Sequence, residues 1–262
     1  MFLIYFYLCM FSNALRVEKS FENVTNFNEP FIVRNGCKHF PAYTKWDKKY
    51  ISEHLSINTE IEYHVDKTNV GYCKTCNIDT MYNELSENED LYIRNVKFHN
   101  TLLSKDVFGH YKNLLDQSIY LGNGSSHYHW HSSCKNVVLN QINGDKILYV
   151  ISPIHYIPSL SYFNIGIQRA SDTYQNILKS CKDLKCIVNE KEFIIEKVIL
   201  KKGDSLFIPP FYWHNASGYN RSVSVVQEYS RKDFSFVKKD FRFFITCYLA
   251  PIYRYFIPKT EL

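Results

Sequence analysis

Ser125-Ser126-His127-Tyr128-His129-Trp130-His131 is the stretch on which the fold turns. Residues two apart on a strand share a face, so His129 and His131 fall on one side of an extended segment. His127 shares that face and competes for the register, and the spacing to Gly144 favours the 129/131 pair. Far downstream, Gly203-Asp204-Ser205-Leu206-Phe207-Ile208-Pro209-Pro210-Phe211-Tyr212-Trp213-His214 delivers a third imidazole from a separate strand. A β-barrel assembles a metal site in this way, with two ligands from one strand and one from a distant strand.

The segments around these two motifs read mostly as strands. Ser118 to Leu121, Tyr128 to His131, Val137 to Ile142, Lys146 to Ile151, Phe193 to Leu200, Ser205 to Ile208 and Ser222 to Glu228 are short apolar or alternating runs between turn residues. Asn143-Gly144, between two apolar runs, predicts a hairpin turn. Before them, Phe31-Ile32-Val33 and Ile61 to Val65 read as strands, and Pro41 to Leu55 as an amphipathic helix carrying Trp46, Tyr50, Ile51 and Leu55. The polar stretch from Lys67 to Leu103 reads as loop with short helices. Asp106 to Leu115 reads as partly helical, and Pro153 to Ser180 as a long connection with a helix near Thr173 to Leu178. Many short strands without βαβ alternation point to an all-β core of sandwich or jelly-roll type, with helices at the N- and C-terminal ends. The expected division is a leader over 1–14, an N-terminal helix and strand region over 15–116, the jelly-roll core over 117–230 and a helical tail over 231–262.

The 262 residues are 45% hydrophobic and 16% aromatic, enough for one sizeable core. The formal charge is +5 and the pI about 8.6, but the lysines are scattered among acids, which argues against a nucleic-acid stripe. Met1 to Ala14 is apolar, uncharged and ends in Ser12-Asn13-Ala14, so a signal peptide is expected, the alternative being a buried N-terminal strand. The terminal Lys259-Thr260-Glu261-Leu262 resembles a lumenal retrieval tetrapeptide. Together these ends predict residence in the endoplasmic reticulum lumen. The aromatic tail from Phe241 to Ile257 contains Arg242, Pro251 and Arg254, so no membrane span is expected there. It reads as a packed terminal helix or a homodimer contact. Eight cysteines include the close pairs Cys73/Cys76 and Cys181/Cys186, read as local disulfides or plain thiols, with a redox pair or half a zinc site as alternatives for Cys73/Cys76. Sequons stand at Asn23, Asn123, Asn215 and Asn220, and glycans are not expected at Asn123 or Asn215, which lie close to the histidine motifs.

Ser126-x-x-His129-x-His131, Asn136, Gly144-x-Lys146, Pro153 and Gly203-Asp204-x-Leu206-Phe207-Ile208-Pro209-x-x-x-Trp213-His214 together resemble the JmjC or cupin-like group of Fe(II)/2-oxoglutarate oxygenases. The resemblance runs from about Phe31 to Ser230. The His-Trp-His form and the two chain ends look most like the subfamily resident in the endoplasmic reticulum. It implies a double-stranded β-helix, with His129, His131 and His214 as metal ligands and Lys146 on the distal carboxylate of 2-oxoglutarate. Ser126, Asn136 and Gln227 fall where relatives place polar groups around the co-substrate. Lys146 has a competing reading as a surface lysine of the Asn-Gly turn. The departure from the family pattern is His131, which stands where relatives carry Asp or Glu. A neutral imidazole there leaves a bound metal one unit more positive, and imidazole suits iron and other divalent metals alike.

Two functions follow from the resemblance. One is an Fe(II)- and 2-oxoglutarate-dependent dioxygenase of the secretory pathway that hydroxylates a protein substrate. The other is a non-catalytic JmjC-like scaffold in the same compartment. Demethylation in chromatin and nucleic-acid modification are disfavoured by the predicted address and the absence of a basic stripe.

Overall fold

The computed structural model describes residues 15–55, 61–64, 70–73, 92–98, 101–124, 126, 129–131, 135–152, 167–169, 176–178, 181, 185–188 and 191–231. The expected leader, the tail beyond Arg231, His127, Cys76 and most of the 153–180 connection lie outside them.

Two long strands organise everything else. β8 (Lys135–Ile151) and β13 (Trp213–Ser230) pair antiparallel along nearly their whole length, from Trp213↔Ile151 to Ser230↔Lys135. Near their middles both bend. Gly144 has a left-handed φ of 64°, Asn220 and Arg221 have φ of 55° and 57°, and the register shifts between Tyr219, Val223 and Ser224. A β-bulge adds local twist and turns the ladder through a corner. Asn143-Gly144 is therefore a bend inside one continuous strand and not the expected hairpin turn. The same chemistry that tolerates φ > 0 serves both structures.

The bend divides the fold into two layers. On one side β12 (Ser205–Ile208) flanks the first half of β8, and β6 (Leu114–Gly122) flanks the second half of β13. β2 (Phe31–Val33) extends this layer beyond β12, with β1 (Arg16–Glu18) parallel to it. On the other edge lie β5 (Tyr92–Lys97), β3 (Ile61–His64) and β4 (Val70–Cys73). The opposite layer combines the second half of β8 with β11 (Lys191–Leu200) and β10 (Lys185–Val188). It also joins the first half of β13 to β7 (His129–His131) and β9 (Ile167–Arg169). Leu139, Leu206, Ile208 and Val226 from one layer pack with Leu148, Val150, Val198, Leu200 and Ala216 from the other, which closes a jelly-roll interior.

The outer face of the first layer is covered from the N-terminal side. Helices α1 (Ala42–Lys45) and α2 (Lys48–His54) place Ala42, Trp46 and Ile51 on Ile93, Ile119, Ile142 and Val225. The single helix expected over 41–55 is interrupted at Asp47, whose side chain accepts from the Tyr50 amide at 2.7 Å and caps a new helix. Asp106, at the end of a 3-10 helix over Leu102–Asp106, accepts from Lys45 (2.9 Å), Trp46 (3.1 Å) and Tyr50 (2.9 Å) and binds both helices to the sheet. Two expectations fail in this region. Residues 92–97 form a strand where loop was expected, and the stretch expected to be partly helical is non-helical from Val107 until β6 begins at Leu114. The 92–97 segment gains its extended form from pairing with β3 and β6, which short-range patterning does not register.

The Gly203-Asp204 motif has a structural role of its own. Gly203 has φ of 96°, and Asp204 accepts from the amides of Asn35 (3.1 Å) and Lys201 (3.0 Å) and pairs with Arg34 at 2.5 Å. This loop aims β12 and the Pro209–Trp213 turn toward the start of β13, where His214 lies.

Candidate functional site

His129 on β7 stands opposite His214 on β13 in register, and their rings lie 4.3 Å apart, tilted by 59°. Antiparallel partners share a sheet face, so strand pairing alone brings the two imidazoles together. His214 is buried, and its Nδ1 donates to the Tyr212 carbonyl at 2.9 Å. That bond assigns the proton to Nδ1 and the lone pair to Nε2, the arrangement by which backbone carbonyls orient metal-binding histidines. Burial pushes the His214 imidazole down to about 4, so it is neutral and competent as a ligand at ordinary pH.

Ser126 ties this corner together. Its amide donates to the Ala216 carbonyl (2.7 Å), its Oγ accepts from the Ala216 amide (2.9 Å), and its carbonyl accepts from the Asn215 side chain. Its polar atoms serve backbone pairing, which places β7 against β13 two residues from His214. His131 sits at the end of β7 opposite Ile167, and its side chain lies outside the described residues. No group of three or more His, Cys, Asp or Glu side chains converges among the described residues. The pair that does converge, two imidazoles of which one is held neutral and oriented by a carbonyl, fits a divalent cation.

Lys146 lies in the middle of β8, opposite Gly218 on β13 and Leu200 on β11. It is fully buried, which excludes the surface-turn reading. Its Nζ is 3.5 Å from the Tyr92 hydroxyl and lies 5.2 Å and 5.9 Å from the Tyr92 and Tyr120 ring centres. No carboxylate pairs with it among the described residues, and burial pushes its ammonium down to about 7. Lys146 and His214 occupy the same, interior face: His214 faces Val150, and Lys146 is four residues before Val150 on that alternating strand. At about 3.3 Å per residue their backbones are roughly 13 Å apart along the sheet.

Asn136 and Gln227 are on the other face. Asn136 faces Tyr229 and accepts from Arg231 at 3.4 Å. Gln227 accepts from Asn140 (3.0 Å) and Tyr229 (2.9 Å) and donates to the Phe108 carbonyl (2.8 Å). The bulge explains Asn136: inward positions of β8 are odd before it, as at Leu139, and even after it, as at Lys146. Gln227 directly follows Val226, which packs in the interior on the same side of the bulge, so it faces outward.

Sequence reasoning missed Tyr92 and Tyr120, whose rings face the lysine ammonium, and Gln141 and Ser224, which bond each other at 2.7 Å on the same interior face. It also missed Glu196, which faces Val150 from β11 and so shares the cross-strand row of His214. Burial raises the Glu196 carboxyl, with repulsion from Glu29 adding to it. Strand pairing between distant segments is the signal that finds these residues, and a single chain does not display it.

Residues 57–233 match the family described as the cupin-like domain. Among solved structures the chain is similar to the X-ray structure of E. coli ycfD, at 13% identity and a TM-score of 0.49. The alignment covers 89% of this chain and 57% of that one, so the chain spans little more than half of that protein's length. No curated protein matches the sequence.

Proposed function

The chain belongs to the cupin-like domain family, and from that premise we propose that it is an Fe(II)- and 2-oxoglutarate-dependent hydroxylase acting on a protein substrate in the secretory pathway. The observation that carries the reading is Lys146: a buried amine without a described acidic partner, on the same interior face as the His129/His214 pair. Its ammonium form is costly until an anion reaches it. A dicarboxylate whose far end meets Lys146 and whose near end meets the histidines would satisfy both. In this reading His129, His131 and His214 hold the metal, and the Tyr212 carbonyl keeps His214 in its ligating tautomer. Lys146 takes up a proton as the distal carboxylate arrives, and Tyr92 and Tyr120 keep water from the new ion pair. The bound iron, with co-substrate and O₂, supplies the oxidising power for C–H hydroxylation. The lumenal address draws support from Cys181, which is disulfide-bonded, since disulfides persist in oxidising compartments.

A specific feature favours a second reading, a barrel without turnover that acts as an interaction scaffold: His131 stands where relatives have a carboxylate. One anaerobic experiment separates the two. Fe(II) content and 2-oxoglutarate affinity are measured for the wild type, Lys146→Ala and His131→Asp. The hydroxylase reading expects metal-dependent binding in the wild type and a loss of about 10–100-fold in Lys146→Ala, the worth of one charge-assisted hydrogen bond. Binding that appears only in His131→Asp would sink it and leave the scaffold.

A further inference from the structure

The four sequons meet very different surroundings in the fold. Asn215, in Asn215-Ala216-Ser217, is buried, and its Nδ2 is the donor to the Ser126 carbonyl that holds the β7 corner. An N-linked sugar is attached through that same nitrogen, so a glycan at Asn215 removes the bond and forces a bulky polar group between β13 and the 126 segment. Asn123 is half-buried, and its Oδ1 accepts from the Arg221 amide at 2.7 Å. Asn23 and Asn220 are exposed. Asn220 sits on the outward bend of β13 in the left-handed region, at φ of 55°. Asn23 lies in the turn before β2, followed by the exposed Thr25.

We propose that Asn23 and Asn220 are N-glycosylation sites of the folded protein and that Asn215 is bare. The proposal rests on the secretory-pathway reading. The donor is a lipid-diphosphate-linked oligosaccharide. An N–C bond forms between the asparagine Nδ2 and C1 of the first sugar, the C1–O bond to diphosphate breaks, the amide gives up one proton, and the lipid diphosphate leaves. Transfer to the emerging chain explains how Ser222, buried in the fold, still provides its hydroxyl to the Asn220 sequon. Chains modified at Asn215 cannot close the β7 corner, so the folded population lacks that modification.

The test expresses the full chain in eukaryotic cells in two forms, one with its own first residues and one with residues 1–14 replaced by the signal of a secreted protein. The soluble folded fraction is treated with peptide N-glycosidase in heavy-oxygen water, which marks each formerly glycosylated asparagine as labelled aspartate. The expected pattern is label at Asn23 and Asn220 and none at Asn215, with one fewer gel step in Asn220→Gln. Label at Asn215 in folded protein, or its absence at Asn220 in the form directed to the lumen, overturns the proposal. If only the redirected form shows the expected pattern, the site assignment stands and the native address falls.

Discussion

Lys146 concentrates the energetic question at the scale of single residues. A buried ammonium facing two tyrosine rings is stabilised weakly by them and penalised strongly by the loss of water. Its ammonium, pushed down to about 7, loses protons in the folded chain that the unfolded chain keeps up to its ordinary value. Folded stability of the ligand-free protein therefore rises with pH between about 7 and about 10.5 through this group. Lys146→Met removes the penalty, and thermal melts should show the ligand-free variant more stable by about 1–3 kcal/mol while 2-oxoglutarate binding is lost. Binding to the wild type at pH 8 should take up a proton, read as a dependence of the calorimetric enthalpy on buffer ionisation. Gln227 makes the opposite case. Its amide is committed to Asn140, Tyr229 and Phe108, so Gln227→Ala should cost about 1–3 kcal/mol and leave co-substrate affinity unchanged. Any large loss of affinity with preserved stability would return Gln227 to the site.

Among the elements, β8 and β13 do most of the positioning because each serves both layers. Their corner needs Gly144 for two reasons. Its φ is left-handed, and an added Cβ would come within 2.6 Å of the Asn220 carbonyl oxygen and 2.7 Å of that of Tyr219. Backbone atoms on a paired strand cannot move aside cheaply, so Gly144→Ala should destabilise by about 2 kcal/mol or more in chemical denaturation, beyond the cost of φ alone. Because the bulge sets which residues of β8 face inward, the same variant should weaken metal and co-substrate binding together. The helical cover depends on Asp106 in a comparable way. Burial raises its carboxyl, but hydrogen bonds from Lys45, Tyr50 and Trp46 prevail and hold it below the usual range. Asp106→Ala strands the Trp46 and Tyr50 donors, and a loss of about 2–4 kcal/mol is expected.

For the whole molecule, the buried His214 and the half-buried His110 set the response to acid. His214 and His110 are each pushed down to about 4 by burial, His110 while bonded to Asn140 at 2.6 Å and stacked on Phe21. Below about 6.5 the unfolded chain binds protons that these folded sites refuse, so stability falls as pH drops from about 6.5 to about 4. The metal-free chain should lose on the order of 3 kcal/mol per histidine across that window, measured as the shift of denaturation midpoint with pH. A flat profile would mean that water reaches both rings. The strands at 31–33 and 205–208 and the amphipathic helical character before Leu55 are local properties, each legible from apolar runs and their spacing, although the break at Asp47 was not. So was the all-β class, because alternation and turn spacing are written along the chain. The identity of His129 and His214 as candidates was also local, in two short motifs. Their meeting, the inward turn of Lys146, the outward turn of Asn136 and the facing rings of Tyr92 and Tyr120 were decided by tertiary structure. Each depends on register between segments distant in sequence and on one bulge that reverses the parity of β8, and a one-residue shift in register exchanges the two faces of a strand.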